Sequence, residues 1–350
     1  MKKILAIAII CISSLLFYSC SEDFKVGAPY KEVMVVFGLL DKGDTAHYIK
    51  ITRGFFDEVN NNLLAAKNAD SVYYDSLTVV LSKMNNGGAV IQNYSLAKVN
   101  LVTEGIVKDT GIFVANPAYA YKLKTLLDPN YQYQLSITNP KTQKKVTCNT
   151  NVLENAPTVF VVDNLQGGIL DFSDPVAVND FIFTPPPHAA MIEMYLRFNY
   201  YEKWLVNGTE VGASKYVDIP FFTKKAINNP NNPGAISFSF LNNTFFGFIG
   251  GGLPTPTNDV KRYVDTPDVI FYAAGNDLKK YIDITNAQGG ITADQIKPIY
   301  TNMQGGDAYG ILSTRVKREV YQIPFSKRTV DSLIYSPNAK YLNIVGKSPI

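Results

Sequence analysis

Residues able to do chemistry are few and scattered along this 350-residue chain. Its two histidines, His47 and His188, stand far apart. Zinc sites draw several His or Cys ligands from tight spacings, so this pattern predicts no metal site. A serine hydrolase would carry a Gly-x-Ser-x-Gly elbow, and none occurs. Gly250-Gly251-Gly252 runs into Leu253-Pro254 and Gly305-Gly306 into Asp307-Ala308. Neither supplies the Lys-Ser/Thr that a phosphate-binding loop requires, so both read as helix ends and turns and no cofactor is expected. Asp41 and Asp44 lack the spacing of an EF-hand. Glu193 with Glu202, and Asp171 with Asp174, are the carboxylate pairs that glycoside hydrolysis would use. That chemistry depends on separation in space, and solubilising surface acids are the commoner role. No catalytic residue is assigned.

Cysteine is the informative residue. Lys2 and Lys3 precede the apolar run Ile4 to Phe17, which closes on Phe17-Tyr18-Ser19-Cys20. A charged start, a short apolar core and a small residue before the cut describe an export signal, and the run falls short of the roughly 20 residues that span a bilayer. Ser19-Cys20 resembles the lipobox of bacterial lipoproteins, with Phe17 where Leu is usual and a bulky Tyr18. Residues 1–19 are therefore expected to be a signal peptide, and Cys20 the lipidation site. Acyl chains contribute about 0.8 kcal/mol per buried methylene, and stable anchoring takes more than one chain, as such lipoproteins carry. Ser21, Glu22 and Asp23 resemble the surface-export signal of Bacteroidota lipoproteins; a solvated linker is the other reading. The expected location is the outer membrane, lipid-anchored and facing the exterior. Cys11 leaves with the signal, and Cys148 alternates onto the apolar face of Lys145–Thr150 beside Val146, as a buried small hydrophobe would.

Removing Lys2 and Lys3 with the signal leaves 31 basic against 30 acidic residues. A near-neutral chain has no electrostatic reason to grip nucleic acid. With 46% hydrophobic and 18% charged residues, the chain predicts a well-buried globular body, and its length suits two domains. After a tether over residues 20–30, strand pairs follow one another. Val33–Leu40 meets Thr45–Arg53 across Asp41-Lys42-Gly43-Asp44, and Leu77–Leu81 meets Ala89–Ile91 across Asn85-Asn86-Gly87-Gly88. Tyr131–Ile137 meets Lys144–Val152 across Thr138–Lys141. Such pairs with turn signals predict a β-sandwich over 31–154, with Asp57–Ser71 as an exposed loop and His47 on the face of Ile49 and Ile51. Residues 155–350 form the second domain, mainly β with a few short helices, of the α+β kind. Its clearest strand is Ile192–Tyr200, and Asn207-Gly208 signals a hairpin. Pro185-Pro186-Pro187, before His188 in an exposed loop, and Asn228–Gly234 mark rigid or irregular loops. Leu241, Phe245, Phe248 and Ile249 share one helical face, stopped by Gly250; Asn276 and Ser326 are the caps expected for two further helices.

The segments Phe37-Gly38-Leu39-Leu40, Tyr48–Arg53, Tyr195–Glu202, Tyr300–Gly306 and Gly310–Arg315, behind such a lipobox, resemble a family of Bacteroidota surface lipoproteins built on a domain of unknown function. The resemblance covers most of the mature chain. It implies an immunoglobulin-like front domain and a partner, a TonB-dependent receptor or another outer-membrane β-barrel, since such receptors are often encoded beside family members. Asp-Thr/Ser-hydrophobic triplets centred on Thr45, Ser71, Ser76 and Ser332 resemble the Bacteroidota O-glycosylation motif.

These observations predict a non-enzymatic surface lipoprotein, an accessory or binding subunit of an outer-membrane complex. Two alternatives stay open beside it: a stand-alone glycan- or peptide-binding lipoprotein, in which Tyr73-Tyr74, Tyr200-Tyr201 and Trp204 would give stacking surface, and a subunit of outer-membrane assembly machinery. A hydrolase with a non-standard site would instead need a deep pocket holding carboxylates of raised pKa.

Overall fold

Alternation of apolar and polar side chains dominates the chain, and strands result. A computed structural model describes residues 32–54, 62–107, 111–154, 159–162, 168–257, 259–287, 299–320, 323–337 and 339–348. Its first part contains β1 (Val33–Leu40), β2 (His47–Gly54), α1 (Asn62–Lys67), α2 (Ala69–Val72), β3 (Thr78–Met84), β4 (Val90–Ser95), β5 (Ala97–Asn100), β6 (Tyr119–Leu123), β7 (Gln132–Thr138) and β8 (Lys145–Asn151). Then come β9 (Val159–Val162), β10 (Val178–Thr184), β11 (Ala189–Val206), β12 (Thr209–Ala226), β13 (Ile236–Leu241), α3 (Asn242–Gly252), β14 (Lys261–Val264) and β15 (Asp268–Gly275). The chain continues through α4 (Asn276–Ala287), β16 (Ala308–Val320), α5 (Lys327–Tyr335), a 3-10 turn (Lys340–Leu342) and β17 (Ile344–Lys347). The fold is mainly β, as the sequence predicts.

The three front hairpins form as expected. In the first turn Asp41 Oδ1 accepts from the Gly43 N–H at 2.9 Å. In the second, Asn85 Oδ1 accepts from Gly87 and Ala89, and Gly88 takes the positive φ (80°) that closes the turn. The sheet β4-β3-β7-β8 faces β1, β2 and β6. Between them Val36, Ile49, Leu81, Leu135, Ile137 and Cys148 are buried in one apolar cluster, the side chains of the inward face in each strand. Two helices, Asn62–Lys67 and Ala69–Val72, occupy most of the stretch expected to be a loop from Asp57 to Ser71. Asn68 caps the second by accepting from the Asp70 N–H, and burial of Ala66 and Val72 holds both against the sandwich.

The front sandwich is completed from far along the chain. β16 runs parallel to β1, pairing Met34 with Ala308 through Leu40 with Thr314. Just before it, Gln304 exchanges two backbone hydrogen bonds with Thr147, each 2.8 Å. Residues beyond the division expected at 154 thus supply one edge of the first unit. The second half of β16 pairs instead with β15, from Ala274–Arg315 to Val269–Val320. One continuous sheet therefore runs β17-β14-β11-β15-β16-β1-β2-β6-β5, with β12 beside β11.

The second unit is built on the β11–β12 hairpin, whose two strands have 18 residues each. Asn207 (φ 50°) and Gly208 (φ 79°) turn it, the left-handed pair that Asn-Gly favours. A smaller sheet, β13-β10-β9, belongs to the same unit. In its core Phe172, Phe181, Phe198, Phe221, Phe240, Phe245 and Phe325 pack ring on ring; Phe172 and Phe245 stack with centroids 4.4 Å apart. Helix α3 differs from its expected form. Its buried face is Asn242, Phe245, Phe246 and Ile249, whereas Leu241 and Phe248 are exposed, and it continues through the glycines it was expected to stop at. The cause is Asn242: its amide takes a bond from Asn179 at 2.6 Å and donates to the Asp174 carbonyl at 2.9 Å, which rotates the helix about that polar anchor. Ser326 caps α5 as expected, accepting from the Thr329 N–H. In α4 the Leu278 N–H donates to Ser313 Oγ at 3.0 Å, a cap supplied by β16 where Asn276 was expected to provide it. Among the described residues, no helix is long and apolar enough to cross a membrane.

Candidate functional site

The residues singled out for chemistry are not gathered into one centre. His47 is buried with 1% exposure; its Nε2 donates to the Thr125 carbonyl at 3.0 Å, and Nδ1 has no partner among the described residues. Burial is the main cause that pushes this imidazole below its ordinary pKa. Cys148 is buried as expected, and burial raises its thiol to about 12, which leaves it inert as a nucleophile. Each proposed carboxylate is committed separately. Glu202 pairs with Arg262 and Lys215, and Glu193 accepts from Tyr195 and the Lys224 N–H. Asp174 accepts from the Val176 N–H. Burial acts to raise the Asp171 pKa, but bonds from Ser173, Ser326 and Arg328 outweigh it and bring the carboxyl to about 2. Among the described residues, no three His, Cys, Asp or Glu side chains group as metal ligands would.

The proposed stacking aromatics are largely inside. Tyr73, Tyr74 and Tyr200 are each 4% exposed. Tyr201 lies across Gly212, where a Cβ would come within 2.2 Å of its hydroxyl, and Trp204 is half-buried. Of the glycosylation-like positions, Thr45 and Ser76 are exposed, while Ser71 and Ser332 are half-buried on α2 and α5. Cys20, Ser21, Glu22 and Asp23 lie outside the described residues.

What the fold does build is a polar groove between its two units. Its larger compartment, about 390 Å³, is lined by Gln132, Asn149, Thr150 and Asn151 of the front sandwich. Ser313 and Thr314 of β16, Gly275, Asn276 and Asp277 at the β15–α4 junction, and His188, Pro230 and Asn231 complete it. A second compartment of about 240 Å³ shares Gln132, Asn151 and His188 and adds Asn86, Pro129, Asn130, Tyr131, Val152, Glu154 and Pro187. The larger falls within the usual range for ligand pockets, about 300–1,000 Å³.

The base of the groove is held firmly. Thr314 Oγ1 donates to the Leu40 carbonyl and accepts from the Leu153 N–H, both at 3.1 Å. With the Ser313 bond to α4, two adjacent side chains of β16 join the end of β1, the chain after β8 and the start of α4. Gly275 permits this approach, since a Cβ there would lie 2.7 Å from Thr314 Cγ2. Asp277 Oδ1 accepts from the Tyr300 hydroxyl at 2.6 Å; burial, then that carboxylate, raises the Tyr300 pKa.

The wall is made by the two loops that the sequence marks as rigid. His188 adopts φ 67°, uncommon for a residue with a side chain. Its N–H donates to the Pro230 carbonyl at 2.5 Å, and its Nδ1 lies 3.3 Å from Asn231 Oδ1. It is half-buried against the second loop, where the sequence suggested a freely exposed position. These bonds to the second loop hold it in a conformation that is otherwise strained.

The chemistry offered is that of uncommitted amides. The side chains of Asn86, Gln132, Asn151 and Asn276 have no hydrogen-bond partner among the described residues. Asn149 spends its oxygen on Gln134 and keeps its NH₂ group. Each free amide brings two donors and an acceptor. Asp277 and Glu154 are acidic, and among the described residues no Lys or Arg lines either compartment.

Neither a family model nor a protein of curated function matches the sequence. Among solved structures, the chain is similar to the C-terminal globular domain of an oligosaccharyltransferase from Pyrococcus abyssi at 9% identity, covering 83% of this chain and 48% of that one, with TM-score 0.20. It is also similar to a Salmonella alpha-2-macroglobulin reacted with methylamine at 12% identity, covering 86% of this chain and 15% of that one, with TM-score 0.22. The chain thus spans about half of the first structure and a small part of the second. Likeness at this level carries no argument about function.

Proposed function

We propose that this chain is a non-enzymatic lipoprotein of the outer membrane, held by acyl chains on Cys20 and facing the cell exterior. It acts as the binding subunit of an outer-membrane complex whose barrel is a TonB-dependent receptor or a relative, as the resemblance of its sequence segments implies. The observation that carries the reading is the polar groove and its position. The tether reaches the body at Val33, where β1 starts beside Asp307. The groove lies at the other end of β1, around Leu40 and Thr314. Eight strand residues put about 25 Å between those ends. Twelve residues separate Cys20 from Val33, and the thirteen steps between them reach at most about 47 Å at 3.3–3.6 Å each. The body would then stay close to the bilayer with its groove at the end remote from the tether, within reach of a barrel's outer loops.

The test is extraction of native outer membranes in mild detergent, followed by affinity capture of the chain. The expected result is acylated Cys20 by mass spectrometry and a β-barrel in the captured fraction. A bare Cys20 sulfur, or the chain recovered alone, would refute the proposal.

A further inference from the structure

Resting on the reading of the groove as a ligand site, we propose that its ligand is a neutral oligosaccharide. Charge narrows the choice first. Two carboxylates, Asp277 and Glu154, line the groove and no Lys or Arg does among the described residues, so phosphates, sulfated glycans and nucleic acids meet net repulsion there.

An apolar ligand gains little there. The lining consists mainly of amides, hydroxyls, prolines and glycine, and Val152 is itself buried in the sandwich core. Burying a lipid chain against free amides would leave those amides desolvated and unpaired, which is costly.

A peptide adding as a strand finds too short an edge. β8 is already paired to Gln304 at Thr147 and ends at Asn151. Leu153, two residues on, has its N–H on Thr314. Only the backbone around Asn149 and Asn151 is left, fewer positions than a strand needs.

Sugars match what remains. A free amide can accept from one hydroxyl and donate to the next, and the groove sets Gln132, Asn151 and Asn276 across two connected compartments. Pro129, Pro187 and Tyr131 give the apolar patches that C–H faces of a sugar ring require. Tyr131 is braced by the Lys83 ammonium, 3.8 Å from its ring centroid. The shared position of Gln132, Asn151 and His188 between the compartments fits a chain of several sugars better than a single one.

The experiment uses the full mature chain and four neutral hexasaccharides, derived from glucan, xylan, mannan and galactan, with titration calorimetry as readout. At least one is expected to bind with a Kd of about 1 mM or tighter, a threshold near −4 kcal/mol. Gln132→Ala with Asn151→Ala should weaken that binding about tenfold or more, since each lost hydrogen bond is worth a factor of about three to ten. Asn276→Ala, at an exposed position, should weaken it about threefold or more without altering the melting temperature, and serves if the double variant misfolds. A sulfated hexasaccharide of the same backbone should bind about tenfold or more weakly. Absence of binding by all four sugars, binding that survives the variants, or preferential capture of neutral hexapeptides in the same groove would overturn the proposal. Membrane capture of a barrel partner is read separately, so loss of the sugar reading leaves the lipoprotein reading standing or falling on its own result.

Discussion

Arg262 is 2% exposed, and its guanidinium fastens three parts of the second unit. Nε donates to Glu202 Oε1 at 2.8 Å, one terminal nitrogen to the Pro254 carbonyl at 2.8 Å, and the other to the Leu342 carbonyl at 3.3 Å. Glu202, 4% exposed, has its second oxygen on Lys215, which reaches it from β12. Glu202→Gln removes the countercharge and leaves a buried guanidinium with carbonyl partners only. Breaking a buried pair this way costs about 3–5 kcal/mol. Arg262→Met works differently, because Lys215 still neutralises Glu202 while two carbonyls lose their donor, at about 1–3 kcal/mol each. Removing both charges, with Glu202→Gln and Arg262→Met together, strands neither ion, so the double variant should be more stable than the sum of the singles by about 2 kcal/mol or more. Urea unfolding monitored by tyrosine fluorescence measures the midpoints at constant slope. Because the Leu342 bond holds the segment leading into β17, Arg262→Met should also expose residues 340–348 to limited proteolysis. Additive single and double effects, or a tail as protected as in the native chain, would refute the assignment of this pair as the clamp.

Two further predictions concern the front sandwich. Gly310 has φ 111°, and a Cβ there would lie 1.9 Å from the Val36 carbonyl oxygen, its partner in the parallel ladder. Gly310→Ala should therefore lower stability by about 3 kcal/mol or more by separating β16 from β1, and an unchanged melting temperature would refute this. His47 is held neutral chiefly by burial, against the weaker opposing influence of the Thr125 carbonyl and of Asp41 and Asp44. Its folded pKa is lowered from 6.5, so the unfolded chain takes up the proton first. Its contribution is thus full above about pH 6.5 and is lost as pH falls towards the depressed folded value. Urea midpoints at a series of pH values should drop over that window in the native chain and drop less in His47→Gln; identical slopes would count against it.

The front hairpins were legible because each carries its own signal: alternation on both strands and a turn residue, Asn85-Gly87-Gly88 or Asp41-Gly43, whose side chain or φ closes the loop. The β11–β12 hairpin announced itself at Asn207-Gly208, although its strands run much further than Ile192–Tyr200 suggests. Helix α3 was legible in place but not in orientation. Hydrophobic spacing alone selects Leu241 and Phe248, and the polar pair Asn179–Asn242 that sets the true face comes from residues 63 positions apart. The division of labour within β16 was hidden for the same reason, since one unbroken β-prone run pairs with β1 in its first half and β15 in its second.

The groove is a harder case, and its invisibility follows from how it is made. Its lining comes from the β3–β4 turn, the approach to β7, the end of β8, two proline-containing loops, the α4 start and the middle of β16. Single asparagines in such places are ordinary turn residues, so none of them signals a site until the fold brings them together. Two local clues were present: Pro185–Pro187 before His188, and the Asn-Pro run at 228–234, both rigid loops that now form one wall. What turns these pieces into a site is β16. It belongs to both units, and Ser313 and Thr314 lie where it passes from pairing with β1 to pairing with β15. Their hydroxyls fix the end of β1, Leu153 and the start of α4 at the base of the groove. A strand shared in this way resists hinge motion between the units, because bending there would break ladder bonds on both sides at once. The amides are therefore held in a preformed arrangement, which lowers the ordering cost of binding and suits a flexible, hydroxyl-rich ligand better than a groove that must close around it.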